Sequence, residues 1–292
     1  MKKLVIFGVG LIGGSVALAL KKHAGAPFIV GIGRSTESLE QARKLGVIDA
    51  MESNIHAACS DADLILIAAP VAQTKIILQN IKPHLGKNTI ITDAGSTKSD
   101  VLAAAREALG EKFNQFVGGH PIAGAEKSGV TAAHADLFVG KNVVLTPAME
   151  TNQDAASRAS KIARVADMWK TCGANVTEMS AENHDEIFAA ISHLPHLLAF
   201  ALVNEIAHRP NAAQLFGFAA SGFRDFTRIA GSHPEMWRDI TFANKTALLN
   251  EISAYEQQLS YLKQLLTNND SKGLEALFQT ASTARNNWAK TQ

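Results

Sequence analysis

Two cysteines, Cys59 and Cys172, stand far apart in a chain of 292 residues. That scarcity excludes a disulfide framework and a cysteine-rich metal centre, and each thiol reads as a small buried hydrophobe. Charge of one sign is also lacking: 28 basic against 27 acidic residues leave a formal net charge of +1. Nothing in that balance recommends nucleic acid or an anionic membrane as a partner. No stretch of about 18 residues is apolar without glycine or charge, so no transmembrane helix is expected. The opening lysines and apolar run imitate a signal peptide, but glycines break the run and no cleavage pattern follows, so it reads as a strand. Low-complexity sequence and internal repeats are missing as well. With 47% hydrophobic residues the chain can bury a large core, in one or two domains. A soluble cytoplasmic protein is the resulting expectation.

What is present begins at once. Leu4 to Phe7 is a short apolar run that stops at Gly8-x-Gly10-x-x-Gly13, and a helical pattern opens there, with Leu11 and Ile12 between the glycines. Strand, glycine turn and helix in that order make a dinucleotide site. Gly8 allows the turn, Gly10 admits a pyrophosphate, Gly13 lets helix and strand approach, and the helix N-terminus faces the phosphates. A second strand, 27–33, ends in Gly33-Arg34-Ser35-Thr36, with no acid before Glu37. An NAD site usually has an acid at this place for the ribose 2′-hydroxyl. Arg34 can pair with a 2′-phosphate and Ser35 can donate to it, so NADP is favoured and NAD remains possible. The alternative is a solvated Arg34 and a site that takes both.

Further strands are expected at 64–69, 89–93, 116–119, 142–146 and 175–179, alternating with helices at 37–45, 74–81, 101–109 and about 152–172. That alternation predicts an α/β, Rossmann-type, doubly wound sheet whose ligands lie at the C-terminal strand ends. Pro70, Ser96, Lys98 and His120 fall at such ends. From 180 onward the pattern is helical, with Pro195 interrupting an apolar stretch and Leu249, Ile252, Leu259, Leu262 and Leu266 repeating at three- and four-residue steps. An all-helical dimerisation domain over 180–292 therefore follows a dinucleotide domain over 1–179, and a homodimer is expected.

The segment from Gly118 to Gly129 is glycine-rich and polar, and its histidine, His120, follows a strand. Such a group can take a hydroxyl proton as hydride leaves the same carbon, or merely cap a turn. Ser96 could hydrogen-bond the same oxygen. Ser192-His193-Leu194-Pro195-His196 suggests metal only weakly, because no cysteine or paired acid accompanies it, and no metal is assigned. Arg224 and Arg228 share a helix face and could hold a carboxylate, or pair with Asp225 or Asp239.

Taken together, the glycine motif, Asp93 to Lys98, His120 to Gly129, Ser192 to His196 and Asp225 to Ala230 resemble the prephenate dehydrogenase family, which includes arogenate (cyclohexadienyl) dehydrogenases of tyrosine biosynthesis. The resemblance covers nearly the whole chain. It implies oxidative decarboxylation of prephenate or arogenate, with hydride transfer to NADP or NAD. It makes His120 and Ser96 catalytic. It makes His193, Arg228 and Trp237 substrate-binding. The residues placed against the cofactor are Gly8, Gly10, Leu11, Ile12, Gly13, Arg34, Ser35 and Pro70, with Arg34 in place of an acid setting this chain apart from strictly NAD-dependent members. It also implies a small-molecule substrate and a cytoplasmic homodimer, with neither nucleic acid nor membrane as partner. Neither a fused mutase nor a regulatory domain is expected at the ends. A hydroxyacid dehydrogenase of the same two-domain plan, which would need a lysine where Glu182, His184, Asp185 and Glu186 stand, and a non-catalytic NAD(P)-sensing dimer are the alternatives.

Overall fold

The computed structural model describes residues 1–125, 127–148 and 155–290. Glu126 of the glycine-rich segment and the expected helix start at 152 lie outside them.

Eight strands form one sheet in the order β3-β2-β1-β4-β5-β6-β7-β8. In chain order these are β1 Lys3–Phe7, β2 Phe28–Ile32, β3 Ala50–Met51, β4 Leu64–Ile67, β5 Ile90–Asp93, β6 Phe116–Pro121, β7 Asn142–Pro147 and β8 Asn175–Glu178. All neighbours run parallel except β6 and β7, which pair antiparallel. Helices α1 Leu11–Lys21, α2 Thr36–Lys44, α3 Ile55–Cys59, α4 Thr74–Ile81, α5 Ser99–Leu109 and α6 Ala155–Thr171 cross between strands.

The central strands are apolar over Leu4–Phe7 and Leu64–Ile67 because both faces of the sheet are covered there. Leu4, Ile6, Leu64 and Leu66 point into a core with α1 and α6 residues such as Val16, Leu20 and Trp169. Val5, Phe7, Ile65 and Ile67 point the other way, onto Leu78, Ile81, Val101 and Leu109 of α4 and α5. This is the two-residue alternation of a strand, read on a sheet wound on both sides. The expected doubly wound fold is therefore the one observed.

Because β1, β4, β5 and β6 are parallel neighbours, their C-terminal ends share one edge of the sheet. Gly8, Pro70, Ser96 and His120 follow or close those ends. The sequence reading missed β3 and α3, which are two and five residues long.

The chain divides into two compact units, Met1–Lys245 and Thr246–Gln292. In the first, β8 leads to α7 Ala181–Phe188, capped by the Ser180 hydroxyl accepting from Asn183 N–H at 3.1 Å. A π-helical turn, Ala189–His193, joins it to α8 Leu194–Ala207. Pro195 sits in the first turn of α8, where its missing N–H and its ring disturb the ladder behind it, so the helix widens instead of breaking. Helices α9 Ala212–Gly217, α10 Ser221–Thr227 and α11 Pro234–Ala243 complete the unit.

The continuous helical run Ala181–Ala207 is long and apolar enough to cross a membrane by length and composition, with a mean hydropathy of 1.6 over 18 residues. The sequence marks this apolar stretch, interrupted by Pro195, without predicting a membrane span from it. Only 28% of that window is buried, and its buried side carries His184, Asp185 and His193, all bonded to polar partners within the unit. The second unit is a helical hairpin, α12 Lys245–Thr267 and α13 Ser271–Ala289. Asn269 takes φ +50 at the turn, and the Asp270 carboxylate caps α13 by accepting from Gly273 N–H at 2.9 Å. Leu249, Leu259, Leu266, Phe278 and Trp288 lie exposed on these helices.

Candidate active site

The glycine turn is built as a cradle. Gly8 has φ +94, and a Cβ there would stand 2.6 Å from the Ala68 carbonyl oxygen at the end of β4. A Cβ at Gly13 would stand 2.3 Å from the Gly8 oxygen, so α1 lies directly on the turn. At Gly10 nothing lies within 4 Å. That open face adjoins the α1 N-terminus, where Leu11, Ile12 and Gly13 present N–H groups that a helix cannot satisfy itself. No acidic side chain occupies that first turn. Closed behind and open in front, the turn fits a pyrophosphate.

Arg34 is exposed at the end of β2. Ser35 is the N-cap of α2: its hydroxyl accepts from Ser38 N–H at 3.1 Å and donates to Glu37 at 2.8 Å. Pro70 is exposed and opens a 3-10 turn after β4.

His120 closes β6 and is buried. Its approach depends on Gly119, where a Cβ would meet the Asp93 carbonyl oxygen at 2.8 Å. Its Nδ1 lies 2.8 Å from His184 Nε2 on α7. His184 Nδ1 in turn lies 2.8 Å from Asp185 Oδ1. Asp185 also caps α5, accepting from Lys98 N–H and Ser99 N–H, both at 2.8 Å. Phe188 packs on both rings, with centroids 4.9 Å from His120 and 4.5 Å from His184.

Lys98 is fully buried, pairs with Asp93 and donates to the Gly119 carbonyl at 2.8 Å. Asp93 accepts further from Gly95 N–H at 2.8 Å and Gly119 N–H at 2.9 Å. This pair ties the end of β5, the Ser96 loop and the end of β6 together.

Electrostatics follow from burial. Removal from water, then the charges of His184, Lys98 and His193, hold His120 well below the usual imidazole range. His184 is lowered by burial against the pull of Asp185, and Asp185 is lowered because the hydrogen bonds it accepts outweigh its burial. His193 is pushed down to about 4, chiefly by burial. Three imidazoles are thus neutral near pH 7 in a dry site.

Asn244, on the turn after α11, donates to the Asp185 carbonyl at 2.7 Å and to His193 Nδ1 at 3.1 Å. His193 therefore carries its proton on Nε2, which is buried with no close hydrogen-bond partner. The ring's remaining hydrogen-bonding neighbour is the Ser96 backbone, and a ligand oxygen there would compete with it.

A second cluster surrounds Trp237 of α11. His196 stacks on it at 3.6 Å and donates from Nδ1 to the Ser192 carbonyl at 2.9 Å. Arg228 is exposed, and its charge reaches His196. Arg238, rather than Arg224, pairs with Asp239, at 2.7 Å. Among the described residues no group of three metal-capable side chains occurs.

Sequence reading gave no role to His184, Asp185 or Asn244. One signal was available for the first two: they occupy buried positions of a helix whose neighbours Ala181 and Phe188 are core residues.

Known proteins align with this arrangement. Residues 16–178 match the nucleotide-binding domain of prephenate dehydrogenase, and residues 180–280 match its dimerisation domain. A Bacillus subtilis prephenate dehydrogenase is 39% identical over 97% of this chain and 75% of its own length. A Zymomonas mobilis cyclohexadienyl dehydrogenase is 34% identical over 97% and 95%. The crystal structure of the A. aeolicus prephenate dehydrogenase in complex with hydroxyphenyl propionate and NAD+ superposes with a TM-score of 0.89 at 36% identity, covering 98% of this chain and 97% of that one. With both domain models matched in order over a sheet, cradle and strand-end histidine of the expected kind, the chain belongs to the prephenate dehydrogenase family of oxidoreductases.

Proposed function

We propose that this enzyme oxidises and decarboxylates prephenate or arogenate, with His120 as the group that handles the substrate proton. The observation carrying this reading is a neutral, buried histidine at a parallel strand end, on the same edge of the sheet as an open dinucleotide cradle. The bound nicotinamide supplies a hydride acceptor. The chain's residues do the rest. His120 Nε2, which no described residue hydrogen-bonds, accepts the C4 hydroxyl proton as hydride leaves C4. Carbon dioxide then departs from C1, and His120 returns the proton to the phenol oxygen as the ring becomes aromatic. Proton handling of this kind contributes about 10²–10⁴-fold.

Ser96, on the loop anchored by Lys98, supports the same hydroxyl. His193 Nε2–H donates to the substrate, and Arg228 holds a carboxylate with the Trp237–His196 stack beside it. Gly8, Gly10, Leu11, Ile12, Gly13 and Pro70 hold the cofactor. Arg34 favours the 2′-phosphate of NADP, and Ser35, as a helix cap, contributes by keeping that loop in place. The functional division falls near 179, with the helical part serving a homodimer. Exposed Ile191, Phe218, Phe226 and Phe242 of the first unit, and the exposed leucines of the second, supply apolar surface for a second copy. Such an enzyme works in the cytoplasm.

His120→Asn tests the reading: turnover should fall by about 10²–10⁴-fold with cofactor binding intact. Unchanged turnover refutes the role.

A further inference from the structure

We propose that Asp185 and His184 act as a positioning relay that keeps the proton of neutral His120 on Nδ1 and leaves Nε2 as the base. Lys98 N–H and Ser99 N–H can only donate, and both point at the Asp185 carboxylate, at 2.8 Å each. They open α5, so the helix dipole favours negative charge at the same place. Asp185 is therefore an ionised acceptor, and His184 Nδ1, 2.8 Å away, must donate to it.

A neutral ring has one proton. His184 Nε2 is then a lone pair, and the only complement for it at 2.8 Å is an N–H on His120 Nδ1. His120 Nε2 is left without a proton. Free imidazole in water favours the opposite tautomer, so the relay reverses the default. Its premise is a neutral His184. Burial against Phe188 and the nearby Lys98 ammonium disfavour the cation, while Asp185 and Asp93 favour it, and burial dominates. His193 also faces His120, and it is neutral.

Asp185 does two jobs with one carboxylate. It fixes the tautomer of His120 through His184, and it pins the first turn of α5, two residues beyond Ser96. The two groups assigned to the substrate hydroxyl are thus aligned from one point on α7.

This inference rests on His120 being the base. The test is nitrogen NMR of the full chain labelled in histidine, with His120→Asn assigning the signal. In the free enzyme His120 should show the Nδ1–H pattern. His184→Leu should move it to Nε2–H and lower kcat by about 10²-fold, with little change in KM for prephenate or cofactor. His184→Gln, whose amide can accept from Nδ1–H and donate to Asp185, should restore most of kcat. A wild-type His120 protonated on Nε2, or a His184→Leu enzyme with unchanged kcat, overturns the relay. If His184→Leu does not fold, the wild-type tautomer and the glutamine variant decide. Unchanged turnover in His120→Asn would instead remove the base itself.

Discussion

Replacing Lys98 by methionine isolates the tie between strand ends. Lys98 and Asp93 are 0% and 1% exposed at their side chains, so neither can fall back on water. Methionine fills nearly the same volume, which keeps the cavity contribution small. What remains is an Asp93 carboxylate that has lost its counter-ion but keeps N–H bonds from Gly95 and Gly119, together with a Gly119 carbonyl that has lost its donor. Removing one partner of a buried pair costs about 3–5 kcal/mol. That is a large share of a domain's stability of roughly 5–15 kcal/mol. Adding Asp93→Asn removes the stranded charge and should recover part of the loss, a coupling visible in a double-mutant cycle. Urea unfolding followed by circular dichroism reads all four proteins. A single Lys98→Met loss below about 1 kcal/mol, the scale of an exposed pair, would refute the view that this pair holds β5 and β6 in place.

Acid should destabilise the protein before carboxylates titrate. His193 falls from 6.5 to about 4 on folding, so the unfolded chain binds more protons between those values, and stability drops as pH falls from about 6.5 to 4. At about 1.4 kcal/mol per unit, His193 alone contributes on the order of 3 kcal/mol. Melting curves across that range should flatten in His193→Asn, and an unaltered slope would count against the burial argument. Gly10→Ala should fold normally, since its methyl meets nothing within 4 Å, yet bind NAD(P) poorly. Gly13→Ala should cost about 1–3 kcal/mol from overpacking. Thermal melts and cofactor titrations separate the two, and equal stability loss would contradict the cradle geometry. Arg34→Ala should raise KM for NADP about 10-fold, the equivalent of one charge-assisted contact, and leave KM for NAD nearly unchanged.

The sheet was legible because its strands are short apolar runs ended by glycine, proline or polar residues, and such runs admit few other structures. The cradle was legible because its glycines recur at fixed spacing, two of them, Gly8 and Gly13, at close backbone approaches and Gly10 at the open face. β3 escaped because two residues carry no period. The widened turn 189–193 escaped because Pro195 signals a break, while the surrounding packing lets the helix continue through it. His184 and Asp185 escaped for a different reason. Their partners, His120 and Lys98, lie 64 and 87 residues earlier, and only the folded sheet brings them together. Lys98 looked like a reactive strand-end residue; its burial depends on Asp93, which reads in sequence as the tail of an ordinary strand.

The most direct measurement is the initial rate with prephenate and with arogenate, each with NADP and with NAD, followed by the absorbance of the reduced nicotinamide. Turnover of at least one substrate, faster with NADP than with NAD, is the predicted result. No turnover in any of the four combinations, from protein that is folded and binds cofactor, would contradict the account.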